Sequence, residues 1–372
     1  MDPRKILLLY ISEHSGHHCA SIAIENALKT LDHKIKTLNI NSFNYTNPIL
    51  ERVINTAYMG VVKRTPEIWD YLYDNPKVLK NTQRLRQMIH RFNTGKLKTL
   101  LDEFKPDAIV CTQAFPCGMV ADYKRTFDLK MPIVGVLTDY APHSYWIYNN
   151  VDKYIVPSDD TGKKLIANGI DPSRVAAFGI PIDPKFYSSN DVDELCEKLT
   201  LDPKIPRILI MGGTQGMGPI KTMAKLFDAS HLDVQLMIAT GTNKKLHKWL
   251  AARHFKKKVV VLPYATNVDE LMRASTLIIT KAGGITTAEA LATGLPMLIV
   301  HPLPGQEAMN TKFLLEEGVA VKAENPQDAV VLLEELLYNK DKLKAMSDRA
   351  RALAKPDSSM HISKLILELI KR

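Results

Sequence analysis

The sequence predicts an α/β protein with two successive domains, each built on a parallel sheet flanked by helices. Short apolar runs typical of buried strands alternate with longer helical segments along nearly all of the 372 residues, a length that suits two domains. Between Asp183 and Pro206 polar residues and prolines replace this alternation, which indicates an interdomain linker. We expect an N-terminal domain over residues 1–187, a C-terminal domain over 188–355, and a helix over 356–372 that can pack back on the N-terminal domain.

The N-terminal half opens with a buried strand, Lys5–Ile11, which is followed by a helix, His17–Leu31. Residues 45–104 then form a long, mostly helical insertion that is rich in aromatic and basic residues. The other predicted strands of this half are Ile35–Ile40, Ala108–Thr112, Ile133–Thr138, Lys153–Val156 and Val175–Phe178.

The C-terminal half starts the same alternation afresh and ends in residues 326–372, which are predicted to be helical. Because ligands bind outside the carboxyl ends of the strands in such sheets, two successive Rossmann-like halves predict a ligand cleft between them. The predicted strands, each with a helix after it, are Arg207–Met211, Val234–Ala239, Val259–Leu262, Leu277–Thr280 and Met297–Val300.

Composition narrows the class of protein. Hydrophobic residues make up 45% of the chain and charged residues 24%, as in folded globular proteins and unlike disordered ones. No apolar run approaches the roughly 18 residues of a membrane-spanning helix, and the first residues lack a secretory signal pattern. The four cysteines fit neither a disulfide framework nor a zinc site. We expect a cytosolic protein with no metal site and no bound cofactor.

The net charge of +9 is concentrated in the first hundred residues, which hold 15 Lys and Arg against 8 Asp and Glu. Residues 77–98 contain seven basic residues, among them Lys80, Arg84 and Arg91, no acid, and an apolar stripe at helical spacing. Such a helix suits an anionic membrane surface; a solvated helix whose stripe faces the core is the alternative. No helix-turn-helix, zinc-finger or RNP pattern accompanies the charge, so we expect no nucleic-acid partner.

Three glycine-bearing junctions between a strand and a helix are candidate ligand sites. Glycine lets the backbone approach a ligand closely, and the N-terminus of the following helix offers free N–H groups with a partial positive charge. These junctions suit a pyrophosphate, and plain strand-to-helix connectors are the alternative. They are Ser15-Gly16-His17-His18, Gly212–Gly218 and Thr280–Glu289.

The common nucleotide-binding fingerprints are absent. The first turn lacks G-x-G-x-x-G, and no P-loop occurs, which argues against a nicotinamide dehydrogenase and against a kinase or ATPase. The single Asp-x-Asp, Asp191-Val192-Asp193, lies in the predicted linker and makes a poor metal-diphosphate site.

The stretch Pro302–Asn310 places Gln306, Glu307 and Asn310 on about one turn of a predicted helix. Amide and carboxylate groups there suit the hydroxyls of a sugar. An ordinary polar helix start, with Glu307 complementing the helix dipole, is the alternative.

Several motifs occur in an order that resembles one family. They are Gly16-His17, Thr138-Asp139-Tyr140, Gly179-Ile180-Pro181, Lys281–Ala290 and Pro304–Asn310, together with the aromatic segment Asn55–Asp74. The order resembles the family of monogalactosyldiacylglycerol synthases and processive diacylglycerol glucosyltransferases. This family is related to the N-acetylglucosaminyltransferase that makes lipid II.

The resemblance implies a GT-B fold of two Rossmann-like domains facing a cleft, with the lipid acceptor on the N-terminal domain and the UDP-sugar on the C-terminal domain. It implies an inverting transfer of a hexose to the hydroxyl of diacylglycerol, without an Asp-x-Asp metal site. UDP-glucose and UDP-galactose both stay open as donors, since they differ only at C4. The enzyme is expected in the cytoplasm, peripheral on the inner face of the cell membrane.

Position by position, the resemblance places His17 at the general base and Glu289 at the ribose-binding glutamate. Gln306, Glu307 and Asn310 fall in the sugar-binding stretch.

Imidazole, with a pKa of about 6.5, can accept a proton at neutral pH. His14 and His18 are rivals for that role, and a capping or merely solvated histidine is the alternative for His17. Asp139 follows a strand and is expected to orient the base or to accept from the lipid hydroxyl, with a helix N-cap as the alternative.

The remaining predicted contacts divide between donor and acceptor. Backbone N–H groups and a nearby lysine are expected to stabilise the leaving UDP. Tyr264 is expected to pack against the uracil, or else in the core. The further donor-side residues are Gly16, Gly213, Thr214, Lys281, Gly283, Gly284, Thr286 and Gly305, and the acceptor-side residues are His143 and Trp146.

The sequence leaves three other functions open. One is a UDP-sugar transferase with a polyprenyl or sterol acceptor, such as a lipid II-type N-acetylglucosaminyltransferase. Another is a UDP-N-acetylglucosamine 2-epimerase, against which the basic amphipathic insertion argues. The third is a peripheral membrane protein with a vestigial nucleotide site, against which the intact His17 and Gln306-Glu307 positions argue.

Overall fold

The computed structural model describes residues 3–46, 95–188 and 191–371. The predicted membrane-docking residues Lys80, Arg84 and Arg91 and most of the 45–104 insertion lie outside these ranges. The chain divides into two compact units. The N-terminal unit reaches Asp183 and includes Pro304–Gln306 and the residues from Asp357 onward, and the C-terminal unit comprises Pro184–Leu303 and Glu307–Pro356.

The N-terminal unit contains a parallel sheet of six strands in the order β2-β1-β3-β4-β5-β6. The strands are β1 (Lys5–Tyr10), β2 (Lys36–Asn41), β3 (Ala108–Cys111), β4 (Ile133–Val136), β5 (Lys153–Ile155) and β6 (Val175–Ala176). The helices between them are α1 (Gly16–Leu31), α2 (Ser42–Thr46), α3 (95–104), α4 (Ala114–Phe127) and α5 (Asp159–Ala167).

The C-terminal half contains a second parallel sheet of six strands, in the order β12-β11-β10-β7-β8-β9. The strands are β7 (Arg207–Met211), β8 (Gln235–Ala239), β9 (Val259–Leu262), β10 (Leu277–Thr280), β11 (Met297–Val300) and β12 (Ala320–Ala323). The helices are α6 (Val192–Lys198), α7 (Ile220–Ala229), α8 (Lys244–Ala251), α9 (Val268–Arg273), α10 (Gly284–Thr293), α11 (Gln306–Glu316), α12 (Pro326–Tyr338) and α13 (Lys340–Leu353). The two sheets confirm the predicted class of two Rossmann-like domains.

The last helix, α14 (Ser358–Leu369), packs against α1 in the N-terminal unit. Ile362 and Ile366 are completely buried in one cluster with Ile6 and Leu8 of β1 and Ile24 of α1. The apolar stripe of α14 therefore covers one face of the N-terminal sheet. No helix in the three described ranges is both long enough and apolar enough to span a bilayer.

Two features of the chain differ from the sequence prediction. The stretch 183–206 contains helix α6. Asp191 caps the N-terminus of this helix, because its side chain accepts a hydrogen bond from the Asp193 N–H at 2.9 Å. The Asp-x-Asp motif is thus a helix cap. Strand β12 was not predicted, because it is a short edge strand whose central residues, Val321 and Lys322, are only half-buried.

The order of the strands fixes where each sheet can bind a ligand. Strand β1 pairs with both β2 and β3, and strand β7 pairs with both β8 and β10. In each sheet the chain adds its next strands on one side of the first strand, β1 or β7. It then adds the remaining strands on the other side of that first strand. The loops after β1 and β3, and after β7 and β10, therefore diverge at a topological switch point, where parallel sheets bind ligands.

Candidate active site

At the first switch point, a strained turn after β1 positions the start of α1. Ser12 and His14 adopt φ angles of 62° and 58°, in the left-handed region that non-glycine residues rarely occupy. Ser15 caps α1, because its side-chain oxygen accepts the His18 N–H at 3.3 Å. The cap and the turn place His17 in the first turn of the helix. Backbone strain of this kind concentrates at functional sites.

The ring of His17 is held by the ends of two neighbouring strands. Its Nδ1 lies 2.9 Å from the carbonyl oxygen of Thr112, just after β3, and 3.1 Å from the hydroxyl of Thr138, after β4. A carbonyl oxygen can only accept, so Nδ1 carries the proton and Nε2 keeps its lone pair. This tautomer is the one that a general base needs.

The electrostatic surroundings keep His17 neutral. Removal from solvent lowers the pKa of the imidazole below its ordinary value, while the carboxylate of Asp139 and the Thr112 carbonyl raise it without overcoming that effect. Asp139 lies three residues after the end of β4 and is half-buried. His17 can therefore accept a proton at neutral pH, and Asp139 is placed to stabilise the imidazolium that results.

The rival histidines are less suited to proton abstraction. His18 uses Nδ1 to accept the His14 N–H at 3.2 Å, so its other ring nitrogen carries the proton and offers no lone pair. Its ring stacks on Tyr10, with centroids 4.2 Å apart. His14 itself is exposed on the loop. The geometry thus favours His17 among the three.

The predicted acceptor residues lie after β4 in the same unit. His143 accepts the Tyr145 N–H at 3.2 Å, and its ring centroid lies 6.3 Å from that of Trp146. Trp146 is only 5% exposed and belongs to the N-terminal core. It therefore offers a lipid little surface in this structure, and the role of both residues stays a prediction.

At the second switch point, the Gly212–Gly218 loop follows β7 in a tightly folded form. Within this loop the Gly216 N–H donates to the Gly213 carbonyl at 2.9 Å. Gly216 has a φ angle of 55°, and a Cβ there would lie 2.2 Å from the carbonyl oxygen of Thr240. Only glycine fits this position. The side chain of Lys281 runs beside the loop, 3.7 Å from where a Cβ on Gly213 would stand.

Lys281 is fixed by Glu307. Its Nζ lies 2.7 Å from Glu307 Oε1, and both side chains are less than 15% exposed. The other carboxylate oxygen of Glu307 accepts the Leu303 N–H at 2.7 Å. Glu307 therefore ties the lysine after β10 to the loop after β11. Such a part-buried, hydrogen-bonded pair holds the ammonium group beside the glycine loop.

Asn310 is completely buried, and its amide donates to the Ala282 carbonyl at 2.9 Å. The structure thus gives Asn310 no surface for a sugar, because its side chain instead supports the turn between β10 and α10. Gln306, which is half-buried, begins α11, and Gly305 before it is buried.

The turn before α10 leaves space beside Gly283. Gly283 precedes the helix, and a Cβ there would meet nothing within 4 Å. Gly284 is the buried first residue of the helix, and the side chains of Thr286 and Glu289 are half-buried on it. Tyr264 is 40% exposed, which excludes the core position that the sequence left open for it.

No set of three His, Cys, Asp or Glu side chains within residues 3–46, 95–188 and 191–371 is grouped as metal ligands are. Sequence reasoning missed Thr112 as a site residue, and it gave no role to Thr138, although Thr138 begins one of the motifs of the resemblance. Both are polar residues directly after buried strands, and both are at most 5% exposed. That combination was the signal that could have found them.

Two Rossmann-like domains with a ligand loop at each switch point define a GT-B fold, and solved structures of that fold resemble the chain. They include MurG of Acinetobacter baumannii, with a TM-score of 0.62 and 16% identity over 98% of this chain and 100% of that one. S. aureus MnaA bound to UDP has a TM-score of 0.64 and 16% identity over 99% and 98%. At this identity the likeness shows the fold.

Sequence comparison places the chain within that class. Residues 17–182 match the monogalactosyldiacylglycerol (MGDG) synthase family, and residues 207–362 match the glycosyltransferase family 28 C-terminal domain. A processive diacylglycerol beta-glucosyltransferase of Bacillus subtilis (strain 168) is 30% identical over 369 residues, which cover 98% of this chain and 95% of that protein. The chain therefore belongs to the family of MGDG synthases and processive diacylglycerol glucosyltransferases, as the resemblance predicted.

Proposed function

We propose that this protein transfers a hexose from a UDP-sugar to the free hydroxyl of diacylglycerol and inverts the anomeric carbon. The product is a β-glycosyldiacylglycerol. The observation that carries this proposal is the hydrogen bond that fixes the tautomer of His17. Nδ1 donates its proton to the Thr112 carbonyl, and Nε2 therefore keeps the lone pair that a base needs. The names of the relatives support diacylglycerol as the acceptor over polyprenyl and sterol lipids.

In the transfer, the lipid oxygen attacks C1 of the sugar and Nε2 of His17 takes the hydroxyl proton. The bond between C1 and the phosphate oxygen breaks, and its electron pair leaves with UDP. Asp139 stabilises the imidazolium formed in this step. General-base catalysis of this kind contributes about 10²–10⁴-fold to the rate.

The leaving UDP needs positive charge where its phosphate develops negative charge. Lys281 supplies a cation, and the backbone N–H groups of Gly213-Thr214 and Gly283-Gly284 supply fixed dipoles. In this proposal these groups, without a metal or other cofactor, carry the stabilisation. Glu307 holds Lys281, and Asn310 holds the Gly283 turn.

The other donor contacts follow the resemblance. Glu289 binds the ribose, Tyr264 packs on the uracil, and Gln306 and Thr286 face the sugar and phosphates. Gly16, which is exposed at the start of α1, and Gly305, just before α11, complete the donor contacts. UDP-glucose and UDP-galactose are the candidate donors, and the names of the relatives favour glucose.

We place the reaction on the inner face of the cell membrane, with the enzyme bound peripherally to anionic lipid. The predicted basic helix containing Lys80, Arg84 and Arg91 serves this attachment, and His143 lines the acceptor path, with the buried Trp146 packed behind it in the core. Anionic lipid should then raise the activity and high salt should lower it, because salt screens the attraction. Activity on mixed micelles that does not depend on salt contradicts this attachment.

A turnover assay tests the proposal. The purified protein is incubated with UDP-glucose, UDP-galactose or UDP-N-acetylglucosamine and with diacylglycerol in anionic vesicles, and both UDP release and glycolipid are followed. Glycolipid from a single donor establishes reaction, donor and acceptor together. UDP binding without turnover on any donor overturns the diacylglycerol assignment, and polyprenyl acceptors would then be assayed.

A further inference from the structure

The C-terminal unit carries a basic surface around Trp249, outside every site described above. We define the Trp249 patch as Trp249 with six exposed cations on α7, on α8 and just beyond α8: Lys221, Lys225, Lys244, Lys245, Lys248 and Arg253.

Three cations lie close to the ring of Trp249. The Nζ atoms of Lys221 and Lys225 lie 5.1 and 5.4 Å from the ring centroid, and Cζ of Arg253 lies 5.2 Å from it. These distances are those of cation–π contacts. The half-buried ring also packs against the C-terminal core. The core thus fixes the indole at the surface in the middle of the charges.

Helix α8 turns its lysines outward because its apolar residues face the core. Leu246 and Leu250, four residues apart, are 4% and 1% exposed. Lys244 and Lys248, also four apart, are exposed. Residues three or four apart share a helix face, so the lysines form a ridge on the outer side.

Acidic residues do not neutralise this surface. The sequence has no Asp or Glu between Asp233 and Asp269, although it has seven Lys and Arg there. Asp228, the acid of α7, instead accepts the backbone N–H groups of Lys256 and Lys257 at 2.6 and 3.0 Å. Among the described residues, no carboxylate forms an ion pair with any cation of the patch. Such concentrated positive charge attracts an anionic partner.

We propose that the Trp249 patch is a second membrane contact, which binds the phosphate headgroups of anionic lipids at the bilayer surface. Lysine and arginine near such a surface are attracted to it, and tryptophan prefers the membrane–water interface. The inference rests on the proposed function only for the expectation that the acceptor is a membrane lipid. RNA offers the same anionic chemistry but is less favoured, because no RNA-binding pattern accompanies the charge.

The patch also adjoins the donor loop of its own unit. Helix α8 begins just after Thr242, whose N–H and hydroxyl lie 2.7 and 3.1 Å from the carbonyl oxygen of Thr214. Thr214 belongs to the glycine loop assigned to the UDP phosphates. Contact of the patch with a bilayer therefore brings the donor loop to the lipid surface.

Vesicle cosedimentation of the full chain tests this contact. The vesicles contain phosphatidylcholine with about 40% phosphatidylglycerol, at roughly 0.1 M salt. The test variant is Lys244→Gln/Lys245→Gln/Lys248→Gln. The matched control is Lys340→Gln/Lys342→Gln/Lys355→Gln, which removes the same charge from exposed lysines of the same unit. Thermal melting and UDP binding show that each variant is folded.

Each basic residue at an anionic surface raises binding roughly fivefold, so the test variant should bind these vesicles at least about tenfold more weakly than the control. Equal losses in both variants, or no loss in either, overturn the proposal. Loss of single-stranded RNA binding with vesicle binding intact also overturns it. Transfer in neutral detergent micelles is assayed in parallel. If the unchanged protein transfers no sugar in the micelles, the proposed function is contradicted. The comparison of vesicle binding between the two variants stays valid in that case.

Discussion

His17 and Thr112 are joined by two hydrogen bonds that run in opposite directions. Nδ1 of His17 donates to the Thr112 carbonyl at 2.9 Å, and the Thr112 hydroxyl donates to the His17 carbonyl at 2.8 Å. The first bond fixes the tautomer of the ring, and the second fixes the backbone that carries it. One residue just after β3 thus sets both the position and the tautomer of the proposed base.

Replacing His17 with alanine should reduce kcat by about 10²–10⁴-fold, because it removes the proposed general base. The affinity for UDP, measured by calorimetry, should stay unchanged. His18→Ala serves as the matched control, since His18 has no free ring lone pair in this structure. If the His18 variant loses as much kcat as the His17 variant, His17 is not the base.

The hydroxyl of Thr112 is expected to act as a positioning group. Thr112→Val removes the bond to the His17 carbonyl and should lower kcat about tenfold, the value of one hydrogen bond. The KM for the UDP-sugar should not change, and Thr112→Ser should restore the rate. If serine fails to restore the rate, or if KM rises with unchanged kcat, the hydroxyl does not position the base.

The pH dependence of kcat/KM should report the titration of His17. The base works only when neutral, so activity should rise with pH through a pKa that burial lowers below the ordinary value of histidine. The Asp139 carboxylate favours the imidazolium and so raises this pKa. Asp139→Asn should therefore move the acidic limb to lower pH. A limb that moves to higher pH, or does not move, contradicts this electrostatic role.

Lys281 should contribute to UDP affinity. Removing a charge-assisted contact with phosphate in Lys281→Ala should weaken UDP binding about 10–100-fold, as measured by calorimetry. Lys322→Ala is the control, because the half-buried Lys322 pairs with Glu324 at 2.9 Å on the edge strand β12 of the same unit. Equal affinities of the two variants would remove Lys281 from the phosphate site.

The packing of α14 should be visible in stability. Ile366 is completely buried against the N-terminal sheet, so Ile366→Ala should lower the free energy of unfolding of that unit by about 2–5 kcal/mol. Urea denaturation followed by circular dichroism measures the change. Lys364→Ala, at an exposed position of the same helix, should change it by less than about 0.5 kcal/mol. Similar effects of both substitutions would mean that α14 does not stabilise the unit through its apolar stripe.

Local patterns in the sequence predicted the strands, because a buried parallel strand is a short apolar run that needs no information from elsewhere in the chain. Ile133–Val136 and Leu277–Thr280 are examples, each completely or almost completely buried. The pattern failed at β12, where edge position leaves Val321 and Lys322 half-buried. It also failed at α6, whose seven residues are too few to establish a helical period.

The sequence by itself determined the two-domain α/β class, the family, and His17 and the glycine junctions as candidates. The tertiary structure decided which side chains meet. Thr112 lies 95 residues from His17 along the chain, and Lys281 lies 26 from Glu307. Parallel pairing of β1 with β3 and of β10 with β11 brings these pairs together. The pattern of side chains within one strand does not indicate which strand lies beside it. The tautomer of His17 and the position of Lys281 therefore follow only from the folded sheet.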